Sequence, residues 1–463
     1  MASEDTTPDL PNTTSRFIAA VDIGTSGTSV AFECIKTDQS KSSEVSNSNL
    51  QHFIRSFQQR VTPKTITEWP GNASSFGGEP AVKVPTEVSY DNGHVTCGTE
   101  IPPGNERYKW FKMAFDIDAV RESEFGKKHP QYVATKAMSK AKAQELATHF
   151  FKWLRQHIDD TLCKHYSKPV VDSTPISFIF TVPAVWGDGA RSLTIECAKE
   201  AGFGEEVALV TEPEAAVVHS LFVLMPDDLK VGDKFVVVDA GGGSVDLISY
   251  IIREAGASIK MDEVVGGDGK WAGGTFVDDE FCAFMSKRFG AVPRWSKKKL
   301  AKARAYFEKT TKVSFQGNEK DGVMIPLPGI DDSDDLDIVD GEALIGLDDI
   351  KAIFQPVITE ILGLIDRQLL QIGTKPRSIL LVGGFGQSKY LFNCVKAHVG
   401  DEIEVLKPVD GRSAVAQGAT REAVAAYDST LSKIVMGSRI ARKTYGLQIK
   451  TLHIPGTHVS GKE

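Results

Sequence analysis
The chain is short of paired cysteine, clustered basic charge and long apolar runs, and each shortage removes a class of function. Its six cysteines, Cys34, Cys97, Cys163, Cys197, Cys282 and Cys394, are scattered with no C-x-x-C pair. That indicates neither a zinc site nor a disulfide framework, and suggests a reducing compartment. His149, His157 and His165 recur every eight residues, whereas helical zinc ligands want the i, i+4 spacing of H-E-x-x-H; they read as surface or satisfied helix residues. With 53 Lys and Arg against 61 Asp and Glu the formal charge is −8, and no basic stripe offers the phosphate contacts that nucleic acid needs. The densest basic run, Lys297-Lys298-Lys299, reads as the solvated start of a helix. No stretch approaches the roughly 18 to 20 apolar residues of a bilayer crossing. Residues 1–15 are polar, acidic and rich in Ser, Thr and Pro, the opposite of a secretion signal. These absences predict a soluble, cytoplasmic protein with no membrane span and no nucleic-acid partner.

Several motifs are missing too. There is no G-x-x-x-x-G-K-[ST], which excludes the ordinary P-loop, and no G-x-S-x-G or H-E-x-x-H to support hydrolases of those kinds. Leu380-Leu-Val-Gly-Gly-Phe-Gly-Gln387 faintly echoes a Rossmann turn, but Lys407 follows Ile403 to Leu406 where a dinucleotide site wants an acidic residue.

What is present is an ordinary globular composition, 41% hydrophobic and 25% charged over 463 residues, enough for two or three units at roughly 150 residues each. Phe17 to Val21 is an apolar run ended by Asp22-Ile-Gly-Thr-Ser-Gly-Thr28, with a β-rich return at Ser29 to Ile35. A polar loop over Lys36 to Asn49 and a strand over Gln51 to Gln58 are expected next. The apolar spacing predicts one long helix over Thr135 to Tyr166. Strand Ile176 to Val182, helix Gly189 to Ala201, strand Val207 to Val210 and helix Glu214 to Leu224 then alternate, which argues for an α/β unit with a largely parallel core sheet. After the Pro/Gly/Asp-rich stretch 226–233 the opening pattern returns: Phe235 to Val238, Asp239-Ala-Gly-Gly-Gly-Ser244, then Val245 to Ile252. Helices are expected over Phe276 to Phe289, Ser296 to Lys312, Leu347 to Gln371, Gln387 to Lys396 and Ser413 to Ala426, a strand over Ser378 to Val382, and a solvated acidic loop over Asp331 to Asp337.

A strand ending in Asp-x-Gly-Thr can do two things at once. Its carboxylate can hold a hydrated cation, while glycine lets backbone N–H groups and hydroxyls close on phosphate oxygens. Two such turns can clamp one polyphosphate.

Asp22-Ile-Gly-Thr-Ser26, Thr181-Val-Pro-Ala184, Thr211-Glu-Pro-Glu-Ala-Ala216, Asp239 to Asp246 and Val382-Gly-Gly-Phe385 follow one another along residues 16–426. In that order they resemble the ATPase domain of the heat shock protein 70 family. The broader class includes actin and sugar kinases; Thr181-Val-Pro and Glu212-Pro favour the chaperone branch. The resemblance implies an α/β, actin-like ATPase fold, two ribonuclease-H-like lobes around a nucleotide cleft. It implies a disordered tail at 1–15, lobe I at 16–225, a crossing at 226–233, lobe II at 234–428 and the start of a truncated C-terminal β segment at 429–463. ATP or ADP with Mg2+ is the implied ligand set, and protein clients or co-chaperones are implied partners. By the same resemblance Asp22 and Asp239 hold the waters around magnesium. Gly24, Thr25, Ser26, Gly241, Gly242, Gly243 and Ser244 contact phosphates, and Glu212 orients the attacking water. Gly383, Gly384 and Phe385 meet the adenosine, and Glu308 and Lys312 face ribose and adenine. Pro183 and Arg191 belong to the relay that couples nucleotide state to the rest of the protein.

Departures from the family pattern carry expectations of their own. The family's catalytic lysine lies four residues after a strand-ending glycine, where this chain has Pro102 after Gly98; Lys109 or Lys112 is expected to reach in instead. Thr311, Lys312 and Phe315 replace a lysine, an arginine and a serine, and lysine lacks the planar stacking of arginine, so weaker or altered nucleotide affinity is expected. Ser438 to Ile449 resembles the strand that follows the ATPase domain, and Tyr108-Lys-Trp-Phe-Lys-Met113 resembles divergent relatives without a recognisable client-binding domain.

Overall fold
A computed structural model describes residues 13–38, 62–71, 81–117, 126–224, 229–256, 258–427 and 434–441. The first apolar run becomes β1 (Thr13–Ile23), and β2 (Gly27–Asp38) returns antiparallel to it. Phe17 to Val21 are fully buried, so both faces of β1 are covered. Short strands β3 (Lys64–Thr65) and β4 (Val84–Pro85) pair with β2, and β5 (Val88–Asp91) and β6 (His94–Cys97) form a separate hairpin. Strand β7 (Ile176–Val182) lies parallel to β1, and β8 (Val207–Thr211) parallel to β7. A second sheet repeats this plan. Its hairpin is β9 (Lys234–Ala240) and β10 (Val245–Glu254), extended by β11 (Ile259–Lys270). A three-stranded sheet of β12 (Val323–Pro326), β13 (Ile338–Val339) and β14 (Glu342–Ile345) stands apart. Strands β15 (Ser378–Val382) and β16 (Glu404–Leu406) run parallel beside β9, and β17 (Ile434–Ser438) lies parallel to β11 at the other edge. The fold is mixed α/β.

The expected helix over Thr135 to Tyr166 is broken in two, α1 (Pro130–Ala137) and α2 (Lys140–Tyr166). Met138 is extended, and the Ser139 hydroxyl accepts from Lys142 N at 3.1 Å. An N-cap serine satisfies an otherwise orphaned amide, so the chain restarts its helix there rather than running through. The three histidines of the eight-residue repeat are each bonded: His149 to Tyr90 Oη (2.9 Å), His157 to Glu68 O (2.8 Å) and His165 to Thr161 O (3.0 Å). Short α3 (Lys168–Ser173), α4 (Asp188–Glu200) and α5 (Glu212–Leu224) follow, then α6 (Gly274–Phe289) and α7 (Lys297–Tyr306). The expected helix to Lys312 changes character at Phe307–Thr311, a π turn. Long α8 (Leu347–Ile372) stops at Gly373, whose φ of 64° glycine adopts without strain; α9 (Lys389–Val399) and α10 (Ala414–Tyr427) complete the set.

Helices α5 and α10 pack on each other between the sheets, α10 over β1 and β2 and α5 over β9. Ile18, Ala20, Ala215, Val218, Val237, Leu380, Val415 and Ala419 share that core, and each sheet has a further core on its far side. The polar loop expected over Lys36 to Asn49 begins later, since Lys36 to Asp38 continue β2; its remainder, and the strand expected over Gln51 to Gln58, lie outside the described residues. Among the described residues no helix is long and apolar enough to cross a membrane, and no three His, Cys, Asp or Glu cluster as metal ligands.

Candidate functional site
The turn from β1 to β2 brings Asp22, Gly24, Thr25 and Ser26 to the end of the first sheet. A Cβ on Gly24 would lie 2.3 Å from Gly27 O, so only glycine closes this turn. Thr86, just past β4, donates from Oγ1 to Gly24 O at 2.8 Å and holds it. The matching turn from β9 to β10 is closed by Gly241 N donating to Ser244 O at 3.0 Å. It is braced by Gly274 N and Thr275 N on Gly241 O and Gly242 O, 2.9 Å each. The two turns meet. A Cβ on Gly242 would fall 2.1 Å from Ser26 Oγ, and one on Gly243 would fall 2.6 Å from Thr25 Cγ2. Gly383, after β15, has φ of 84° and would place a Cβ 2.4 Å from both Ala240 O and Asp239 Oδ1. Three glycine-bearing turns thus converge on one cavity.

Asp22, Gly24, Thr25, Ser26, Glu212, Asp239, Gly241, Gly242, Ser244, Gly383 and Gly384 all line it. Gly243 lies behind them against Thr25. Phe385, Glu308 and Lys312 are not on this wall. Phe385 is buried against Gly274 and stacks on Phe354, with centroids 6.4 Å apart. Glu308 accepts from Arg304 Nε at 2.7 Å. The Lys312 ammonium is drawn to the buried Asp278, 2.6 Å from each oxygen, and to Gly274 O at 3.2 Å. Burial outweighs that ammonium and pushes the Asp278 carboxyl up to about 6. Pro183 O accepts from Trp186 N and Arg191 Nε donates to Trp186 O, each at 3.2 Å, so both belong to the turn before α4.

Pro102 is exposed, and Lys109 is held at the surface by Glu87, 2.7 Å away. Lys112 behaves otherwise. It is buried, lines the cavity and is ion-paired to Glu212 at the start of α5. Burial works against its charge, but the carboxylates of Glu212 and Asp22 outweigh it and raise its pKa. Lys83, immediately before β4, brings a second ammonium to 2.9 Å from Asp22 Oδ2. Asp22 also accepts from Thr181 Oγ1 at 3.0 Å and from Ser29 Oγ at 3.3 Å. Burial would raise its pKa; Lys83, Lys112 and the Thr181 hydrogen bond hold it below the usual carboxylate range.

On the opposite wall the charges are less compensated. Asp239 is buried and has no side-chain partner among the described residues; burial and the charges of Glu212, Asp22 and Asp246 push its pKa well up. Burial and Glu212 push Asp246 up to about 7, although Ser244 Oγ donates to its Oδ2 at 2.9 Å.

No family model matches the chain. It is 23% identical over 411 residues to Heat shock 70 kDa protein 12A of Homo sapiens and to that of Mus musculus, covering 69% of this chain and 58% of each relative. It is 22% identical over 403 residues to Heat shock 70 kDa protein 12B of Homo sapiens, covering 68% and 57%. At this low identity the chain is similar to these heat shock 70 kDa proteins. It spans less than two thirds of the length of the curated relatives it matches.

Six cavity residues escape sequence reasoning as site residues: Gly27, Lys83, Asp246, Gly411, Arg412 and Val415. Asp246 sits in the second glycine turn's own stretch, so its nearness was the available signal. Lys83 reaches the cavity through the pairing of β4 with β2, and Arg412 from the turn before α10.

The uncompensated wall predicts a pH effect. A carboxyl whose folded pKa lies near 7, against roughly 4 when unfolded, gives stability that is complete below about pH 4 and lost as pH rises through 7. In Asp246→Asn this loss disappears. Melts without ligand at pH 5 and pH 8 should show the wild type losing more stability than the variant, by a few kcal/mol at most on this order-of-magnitude linkage. Parallel curves for the two proteins would contradict the assignment.

Proposed function
We propose that this chain binds ATP and ADP between two lobes, residues 16–225 and 234–428 joined by a crossing at 226–233, and hydrolyses ATP slowly, with nucleotide state controlling lobe closure. The observation that carries the reading is the meeting of the two Asp-x-Gly turns at a cavity that also holds two lysines. Such a pair of turns presents backbone N–H groups and the hydroxyls of Thr25, Ser26 and Ser244 to a polyphosphate. Gly383 and Gly384 leave room for the adenosine beside Asp239. Catalysis in this scheme is positioning and charge stabilisation rather than covalent chemistry. Glu212 orients the attacking water, and Lys112 supplies the cation that the family keeps at the place of Pro102.

Magnesium fits the donor set. Asp239 offers a bare buried carboxylate, and Asp22 faces the same cavity with Lys83 already on one oxygen. These two would hold the ion through water, and the bound ion would neutralise charge on the phosphates. The reading extends to protein clients or co-chaperones as partners, to the cytoplasm as compartment and to residues 429–463 as a following β segment.

One observation favours a second reading, a nucleotide-gated scaffold that binds without appreciable turnover: the Glu212 carboxylate is already committed to Lys112. Calorimetric titration with ATP and ADP tests the reading common to both. Saturable binding is expected, weaker than in the family at large because Lys312 is held by Asp278, and Asp239→Ala should bind more weakly than the wild type in magnesium, by less than about tenfold. Absence of binding to either nucleotide would defeat both readings. Single-turnover phosphate release by the wild type, Asp22→Ala and Glu212→Ala separates them, since one shared background rate leaves the scaffold.

A further inference from the structure
The cavity is asymmetric in a way that the two similar turns do not suggest. Asp239 is bare, while both oxygens of Asp22 are engaged: Oδ1 by Thr181 Oγ1, Oδ2 by Ser29 Oγ and the Lys83 ammonium. Lys83 is not on the surface by chance. The pairing of β4 with β2, Val84 opposite Thr28 and Pro85 opposite Gly27, sets it beside the phosphate turn, and its Nζ is 3.6 Å from where a Cβ on Gly24 would be. Its side chain is 25% exposed and lines the cavity.

An ammonium has three donors. One lies on Asp22, which leaves two for oxygens of a ligand in the cavity. The same ammonium repels a divalent cation brought to the same carboxylate. Lys112 and Arg412 add positive charge, and Arg412 has no acidic partner among the described residues. The cavity is therefore prepared for an anion before any metal ion arrives.

We infer that Lys83 is a phosphate ligand that replaces part of the charge of the divalent cation, so that this protein retains a nucleoside diphosphate when magnesium is removed. The inference rests on the nucleotide reading above. It concerns how the phosphates are neutralised, not whether hydrolysis follows.

Its test is calorimetric titration of the full chain with ADP, once in magnesium and once in EDTA. Wild-type affinity should fall by less than about tenfold on removing magnesium. Lys83→Met should show a magnesium-to-EDTA ratio at least about ten times larger than the wild type, and Lys83→Arg, which keeps the charge, should return toward the wild-type ratio. A wild-type ratio above tenfold overturns the inference, and so does a Lys83→Met ratio equal to that of the wild type. The wild-type comparison requires no variant to fold. If the wild type binds ADP only with magnesium, the nucleotide reading stands and Lys83's role falls; if it binds ADP under neither condition, both fall.

Discussion

Lys112→Met should release phosphate in a single turnover about 10²- to 10³-fold more slowly than the wild type, a loss of about 2.7 to 4 kcal/mol of barrier stabilisation. Methionine preserves most of the side-chain length, which matters because the stem of Lys112 borders a small apolar void lined by Phe111, Phe115 and Trp186. What it removes is the charge. Removing it also strands the Glu212 carboxylate, 8% exposed, beside Asp22, and an uncompensated buried charge costs about 3 to 5 kcal/mol of stability. The two effects are separable. A Lys112→Met, Glu212→Gln double variant leaves no stranded charge, so its melting temperature should recover while its turnover does not. Turnover by folded Lys112→Met at the wild-type rate would show that this lysine does not stabilise the transferring phosphoryl group.

The second large effect is structural. Gly418 sits where α10 crosses α5, and a Cβ there would lie 1.7 Å from Ala215 O and 2.5 Å from Ala215 C. No rotamer relieves that contact, because it is with backbone. Gly418→Ala normally strengthens a helix by about 1 kcal/mol; here it should destabilise by about 3 kcal/mol or more, at or beyond the upper end of ordinary overpacking. Gly418→Leu should give no folded protein. Because Ala215 is one turn along α5 from Glu212, any folded Gly418→Ala protein should also bind nucleotide more weakly. A wild-type melt for Gly418→Ala would refute the close crossing.

The two glycine turns were readable because everything that defines them is local: an apolar run, an aspartate at its end, then residues without side-chain bulk. Strand β11 was not. Its sequence, Ile259 to Lys270, carries three glycines and five charged residues, and it is a strand because β10 on one side and β17 on the other satisfy its backbone. The break at Ser139 was missed for the opposite reason, since the apolar spacing continues across it while a single hydroxyl resets the backbone. Lys112 was foreseeable as one of two lysines near the vacant position, and geometry chose between them by burying one beside Glu212 and leaving the other on Glu87. Lys83 carried no local mark, since its place depends on β4 finding β2 more than fifty residues away in sequence. Phe385 reads like a ligand-facing residue after two glycines, yet it turns inward because Phe354 and Gly274 offer it an apolar seat.

The packing of α10 on β1 and β2 also bears on how the chain is made. Ile18 and Ala20 belong to the first strand, but Val415 and Ala419, which share their core, belong to α10, far later along the chain. During synthesis from the N-terminus that face of the first sheet lacks its α10 cover until residues 414–427 have emerged. The first hairpin in the chain is therefore sealed on that face by one of the later helices, and an N-terminal fragment that stops before α10 exposes an apolar sheet face.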